Sequence, residues 1–201
     1  MTDFLPWRGN YRNLIIYRKS AAVYDMAYFF AHKFLRRGDR TNDQMVQAAR
    51  SCKQNIVEGV CAATTSKETE LKLVNVAKSS LHELMEDYED YLRVRSLRRW
   101  KKGEKAFDAW RGFCSAHNDP ADFTEWTRQA SPEAICNVGL IMCRQLDYLL
   151  FKYIESAKAQ FLKAGGIREQ MTRARLAARN PGLPRAGEPP KGDMPPDLKQ
   201  P

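Results

Sequence analysis

Apolar positions recur at helical spacing through most of the chain, and the clearest stretch runs from Thr41 to Thr65. There Met45, Ala49, Cys52, Ile56 and Val60 line one side of a helix as core positions. About a third of a turn away, Gln44, Gln47, Ser51, Asn55 and Glu58 follow the same spacing. A line of amides and a hydroxyl with one charge differs from the mixed Lys and Glu of an ordinary solvated face. It predicts a structural polar network between helices, with Asn55 and Glu58 largely buried in it. Ala48 and Gly59 lie between the two stripes, and their small size predicts close approach of a neighbouring backbone. Thr41 with Gln44 reads as a capping box at the start.

The other elements follow from the same periodicity. Leu14 to Arg37 carries Tyr17, Ala21, Tyr24, Tyr28, Ala31 and Leu35 on one side, with Ile16, Val23, Phe30 and Phe34 spread around the others. A helix this apolar buries more than one face, as a central helix or with a subunit interface added. Thr65-Ser66-Lys67-Glu68 caps a third helix reaching about Trp100, in which Val74, Leu81 and Tyr88 alternate with Ala77, Leu84 and Tyr91 as a heptad. Ser131 and Pro132 open a fourth long helix. Its apolar positions Ile135, Val138, Met142, Leu146, Leu149, Tyr153 and Ala157 repeat over eleven residues, as in a nearly straight helix. Between the third and fourth, Phe107, Trp110, Phe113, Phe123 and Trp126 predict two short helices capping one end, broken at Asn118-Asp119-Pro120.

These elements predict an all-α fold, an up-and-down four-helix bundle spanning 14–165 with a helical insertion at 103–131 between helices 3 and 4. An arm at 1–13 docks on it, a short basic helix occupies 166–180, and a Pro-rich tail at 181–201 is expected to be disordered. The hydrophobic content of 43% suffices for a globular core. No signal peptide starts the chain and no run reaches the apolar length of a membrane span, so the expectation is a cytoplasmic protein without a membrane partner. Five cysteines without CxxC pairs read as reduced, small core residues.

Charge changes the picture by its placement. The chain is +9 overall, while residues 92–111 and 158–185 each carry +6. Arg95, Arg98, Arg99, Lys101 and Lys102 form the first cluster, although cations at a helix C-terminus are also what the helix dipole favours. Arg168, Arg175 and Arg179 align on the small helix, beside a narrow apolar stripe of Ile167, Met171, Ala174 and Ala178 that holds it in place. Two such segments predict a polyanion partner, RNA or DNA ahead of membrane because large aromatic anchors are lacking.

The run QMVQAARSCKQNIVEG followed by SKETELKLVNVAKSSLHELMEDYEDYL resembles the bacterial four-helix-bundle family of large-subunit rRNA intervening-sequence proteins. A related branch of that family holds the accessory proteins of diversity-generating retroelements. The resemblance covers Leu14 to Leu92, with Asn55-Ile56-Val57-Glu58-Gly59 and Ser80-Leu81-x-Glu83-Leu84 as its motifs. It implies a homo-oligomer, a pentamer in the accessory branch, and a protein partner such as a reverse transcriptase. The basic end resembles the suffix found on some members.

Catalytic chemistry finds little support. Cys114 and His117 beside Asn118 and Asp119 contain the parts of a cysteine nucleophile system, but such sets are assembled in space from distant segments. Zinc needs further ligands at matching spacing, and a diiron bundle needs Glu-x-x-His pairs, so no metal or cofactor is expected. The expected function is that of a non-enzymatic, oligomeric nucleic-acid-binding or accessory protein. The competing expectation is an interaction scaffold whose basic suffix docks an acidic protein.

Overall fold

A computed structural model describes residues 11–36, 38–165 and 167–179, with the side chains at 164, 167, 168 and 177 excepted. The described chain is all-α: a short 3-10 turn at Tyr11–Asn13 precedes α1 (Ile15–Phe34), α2 (Arg40–Ala62), α3 (Lys67–Val94), α4 (Lys105–Ala116), α5 (Ala121–Gln129), α6 (Pro132–Ala164) and α7 (Ile167–Arg179). The end of the expected N-terminal arm, Tyr11–Asn13, meets α1 and α2, whereas docking of residues 1–10 and disorder of the tail are expectations that lie outside the described residues.

The stripe on α2 is buried at all five of its expected positions, Met45, Ala49, Cys52, Ile56 and Val60. At Gly59 an added Cβ would stand 3.1 Å from Val74 Cγ2 and 3.3 Å from the Glu70 carbonyl, which is the close approach its small size predicts. The start of α2 differs from the expected capping box. Gly38 (φ +83°) turns the chain, and the Asp39 carboxylate accepts from Thr41 N at 3.0 Å, so Asp39 is the cap. Ser66 caps α3 by accepting from Thr69 N, and Ser131 caps α6 by accepting from Ala134 N.

On α1 the core side is Ile16, Val23, Met26 and Phe30, and the tyrosine side is the rim, with Tyr28 exposed. Tyrosine hydroxyls keep that edge toward water, and Lys53 Nζ sits 3.9 Å above the Tyr24 ring. Phe30 meets Tyr88 and Tyr91 of α3 edge-on, at 5.5 and 4.8 Å between centroids. Gly139 of α6 faces the Tyr88 ring, which an added Cβ would approach to 2.8 Å.

The third helix stops at Val94, short of the expected Trp100. Ser96 takes φ 53° and Leu97 N returns to Leu92 O, which ends the helix. The chain then runs as a strap over the start of α6, where the buried Asn137 amide accepts from Trp100 N and donates to the carbonyls of Arg98 and Glu133.

The aromatic segment of α4 and α5 lies along the flank of α1 and α6 and does not cap an end. Arg18 pairs with Asp119 near the start of α5, and Lys33 donates to the Arg128 carbonyl at its end. Lys19 and Gln145 reach the carbonyls of Cys114 and Arg111 in α4. Trp110 joins the two short helices by a tilted ring contact with Trp126, centroids 4.3 Å apart. With α4 against it, α6 is buried at every residue from 135 to 143. Pro132–Lys163 does have the length and apolar composition of a membrane span, contrary to expectation, but 61% of its most apolar window is buried within the chain.

Candidate functional site

The first basic cluster is largely engaged within the chain. Arg95 stacks 3.9 Å over the Tyr91 ring, and Arg98 Nη2 pairs with Glu104 at 2.8 Å while its backbone N donates to Glu133. Arg99 reaches Glu89 at 3.4 Å and the Asn137 carbonyl oxygen at 3.3 Å. Burial, then the neighbouring Arg144, lowers the pKa of Arg99. Arg98 and Arg99 fasten the strap, while Arg95, Lys101 and Lys102 are exposed with no ion-pair partner among the described residues.

The second cluster is free of such duties. Arg173 pairs with Glu169 at 3.9 Å, while Arg175 and Arg179 are exposed with no ion-pair partner among the described residues. The Arg168 side chain lies outside the described residues. The apolar stripe does not hold α7 in place as expected: Met171 is 47% exposed, Ala174 and Ala178 are exposed too, and no other described helix packs extensively on α7. The strap meets α6 at Glu133 and Asn137, whereas α7 follows its far end at Gly165. At 1.5 Å per residue those ends are about 40 Å apart, so the two clusters are separate surfaces.

The amide stripe of α2 splits in two. Ser51 Oγ and Ser80 Oγ share a 2.9 Å hydrogen bond between α2 and α3, and Asn55 Nδ2 donates to the Ser51 carbonyl and hydroxyl. Gln44, Gln47 and Glu58 are exposed. Burial of Glu58 therefore does not hold, because it sits on the outer edge of α2, and Asn55 is half-buried, its bonds among the described residues going to its own helix and not across to α3. Gln44 and Gln47 line an open groove of about 970 Å³ opposite Glu83, Glu86 and Asp87. Partial burial, with Asp90 and Glu83 adding repulsion, pushes Asp87 up to about 6.

Cys114 is fully buried and its thiol is pushed up to about 12 by desolvation, so it is held protonated. His117 Nδ1 bonds to the Phe113 carbonyl of its own helix, and the ring stacks on Phe113 at 4.0 Å. Cys52, Cys136 and Cys143 are also buried free thiols, whereas Cys61 is exposed and departs from the expected core role.

Comparison with protein-family models, curated proteins and solved structures finds no match. The chain's own geometry therefore bears on function alone.

The sequence pattern concealed one site. Lys19 of α1 is only 1% exposed, and its ammonium donates to the Cys114 carbonyl and to Gln145 Oε1 at 2.9 Å. Desolvation lowers its pKa. The signal was present: Ile16, Lys19, Val23, Met26 and Phe30 step by three and four, which places a lysine on the core stripe. It borders a cleft of about 560 Å³ between α1, α4 and α6.

Proposed function

We propose that the chain is a non-enzymatic protein that binds the phosphate backbone of a nucleic acid through α7, carried on an up-and-down four-helix bundle of α1, α2, α3 and α6. The observation that carries this reading is the exposure of Arg175 and Arg179 on a helix against which no other described helix packs extensively. Guanidinium groups a turn apart engage successive phosphates without reading bases, so the binding is weakly sequence-dependent.

The bundle arrangement is supported by residue pairs that run in opposing order. Asn42 bonds to the Ala31 carbonyl while Lys53 lies over Tyr24, Ser51 meets Ser80 while Gly59 meets Glu70, and Lys78 pairs with Asp147 while Tyr153 bonds to Glu70. The reading keeps the chain with the intervening-sequence and retroelement accessory proteins, and includes self-association. Tyr148, Phe151 and Leu162 are exposed on α6 and fall within about 60° of one another around its axis, a face suited to a second copy. A monomer by light scattering at micromolar concentration refutes that part.

Fluorescence anisotropy with labelled single-stranded RNA and duplex DNA, across a salt series, tests the main reading. Replacing Arg168, Arg175 and Arg179 by Ala weakens binding and flattens the slope of log affinity against log salt by roughly 0.7 to 0.9 for each phosphate no longer engaged. Unchanged affinity and slope, or no binding by the wild type at low salt, refutes it. A second reading, that α7 docks an acidic protein, draws on the exposed Met171 and Leu176 beside the arginines. Met171→Glu with Leu176→Glu abolishes protein docking, whereas phosphate binding through the arginines persists at reduced strength.

A further inference from the structure

Three cations and no acid border the cleft between α1, α4 and α6. Two of the cations already have partners, since Arg111 lies 3.7 Å from Asp108 and Arg144 lies 3.2 Å from Glu89. Lys19 differs. Its two bonds go to uncharged oxygens, and its third N–H has no partner among the described residues. An ammonium enclosed this deeply ordinarily has a carboxylate beside it, because neutral acceptors only partly replace its hydration.

A second polar atom at the same cleft is also unsatisfied: Asn118 Oδ1 is buried without a hydrogen-bond partner among the described residues. Two unmet polar groups, a donor and an acceptor, therefore border one cavity. Most of the rest of its wall is apolar, supplied by Ile15, Phe107, Ile141, Tyr148 and Leu149, with Ser115 and Gln145 beside them. A volume of about 560 Å³ is that of a small-molecule site.

Capping the last turn of α4 accounts for the bond from Lys19 to the Cys114 carbonyl, and leaves the missing anion unexplained. A ligand with a carboxylate at one end and an apolar body accounts for the missing anion and for the apolar wall. We propose that this cleft binds a small carboxylate with an apolar body, its negative group beside Lys19 and its body against the apolar wall. The site is independent of α7 and of nucleic-acid binding.

Isothermal titration calorimetry of the full chain with phenylpropionate, and with its uncharged amide phenylpropionamide, tests the site. The carboxylate saturates one site per chain, and the amide binds about tenfold more weakly or less. Gly112 in α4 offers a variant that preserves the fold, since nothing stands within 4 Å of an added Cβ there. Gly112→Leu fills the cleft, lowers carboxylate affinity by about tenfold or more, and leaves the melting temperature unchanged or raised. Lys19→Met, where it folds, loses the preference for carboxylate over amide. The proposal is overturned if phenylpropionate shows no saturable binding, if the amide binds as well as the acid, or if Gly112→Leu binds phenylpropionate like the wild type.

Discussion

The two basic segments carry the same charge and have opposite fates. At the end of α3, Arg95, Arg98 and Arg99 meet Tyr91, Glu104 and Glu89, and the strap that bears them is gripped by Asn137. On α7, Arg175 and Arg179 meet solvent. The difference lies in what each segment has beside it. Residues 95–104 pass over a helix that offers a buried amide and a carboxylate, while α7 begins after the Gly165 break, beyond the helices that could supply either. Net charge in a window therefore overstates the charge available to a partner.

The largest effect expected from this comparison comes at Asn137. Asn137→Ala removes the acceptor of Trp100 N and the donor to two carbonyls. Chemical denaturation should show a loss of about 3 kcal/mol, since each buried polar group left unpaired costs on the order of 1 to 3 kcal/mol.

Glu89→Ala tests whether the strap arginines are neutralised, because Glu89 holds both Arg99 and Arg144. Stability should fall by about 1 kcal/mol or less for these half-exposed pairs. The freed guanidinium groups should steepen the salt dependence of nucleic-acid binding, and an unchanged slope would show that this end of α3 takes no part even when released.

The acidic stretch just before the strap gives a pH-dependent contrast. Asp87 is raised from 3.8 to about 6, so the folded chain holds its proton more tightly than the unfolded one and ionisation costs stability. The cost is absent below the ordinary carboxylate range and complete above about 6. Asp87→Asn should accordingly stabilise at neutral pH by about 1 kcal/mol after allowance for solvent screening, and have almost no effect at about pH 3, below the unfolded carboxylate's titration. Melting curves at the two pH values check the sign.

The smallest effect on stability belongs to α7. Arg175→Ala with Arg179→Ala should leave the denaturation midpoint unchanged within about 0.5 kcal/mol, as exposed sites without partners do. A larger loss would mean that α7 packs on the chain, and would remove the contrast with the strap.

Much of the helical framework was legible because burial repeats with the helix period. The stripes of α2 and α3 are both in the core, including Met45, Ile56, Val74 and Leu84. Ser66 and Ser131 cap the helices they were expected to cap, because a cap is a local hydrogen bond. Lys19 also stood on a readable stripe, yet its charge hid it among apolar neighbours. The polar line of α2 was legible only where a partner faced it, at Ser51; Asn55 bonds back to Ser51 within α2, and Glu58 turned outward.

By itself the sequence determined which segments are helical, where most of them begin, and which faces of α2 and α3 are buried, since these follow from backbone hydrogen bonding and side-chain spacing within a few residues. Tertiary structure alone decided the rest. It ended α3 at Val94, laid α4 and α5 along α1 and α6, paired Arg98 and Arg99, left α7 bare, and enclosed Lys19 beside a cleft. Partners such as Glu89 for Arg99 and Gln145 for Lys19 stand 10 and 126 residues away along the chain, and local spacing carries no information about which distant group arrives.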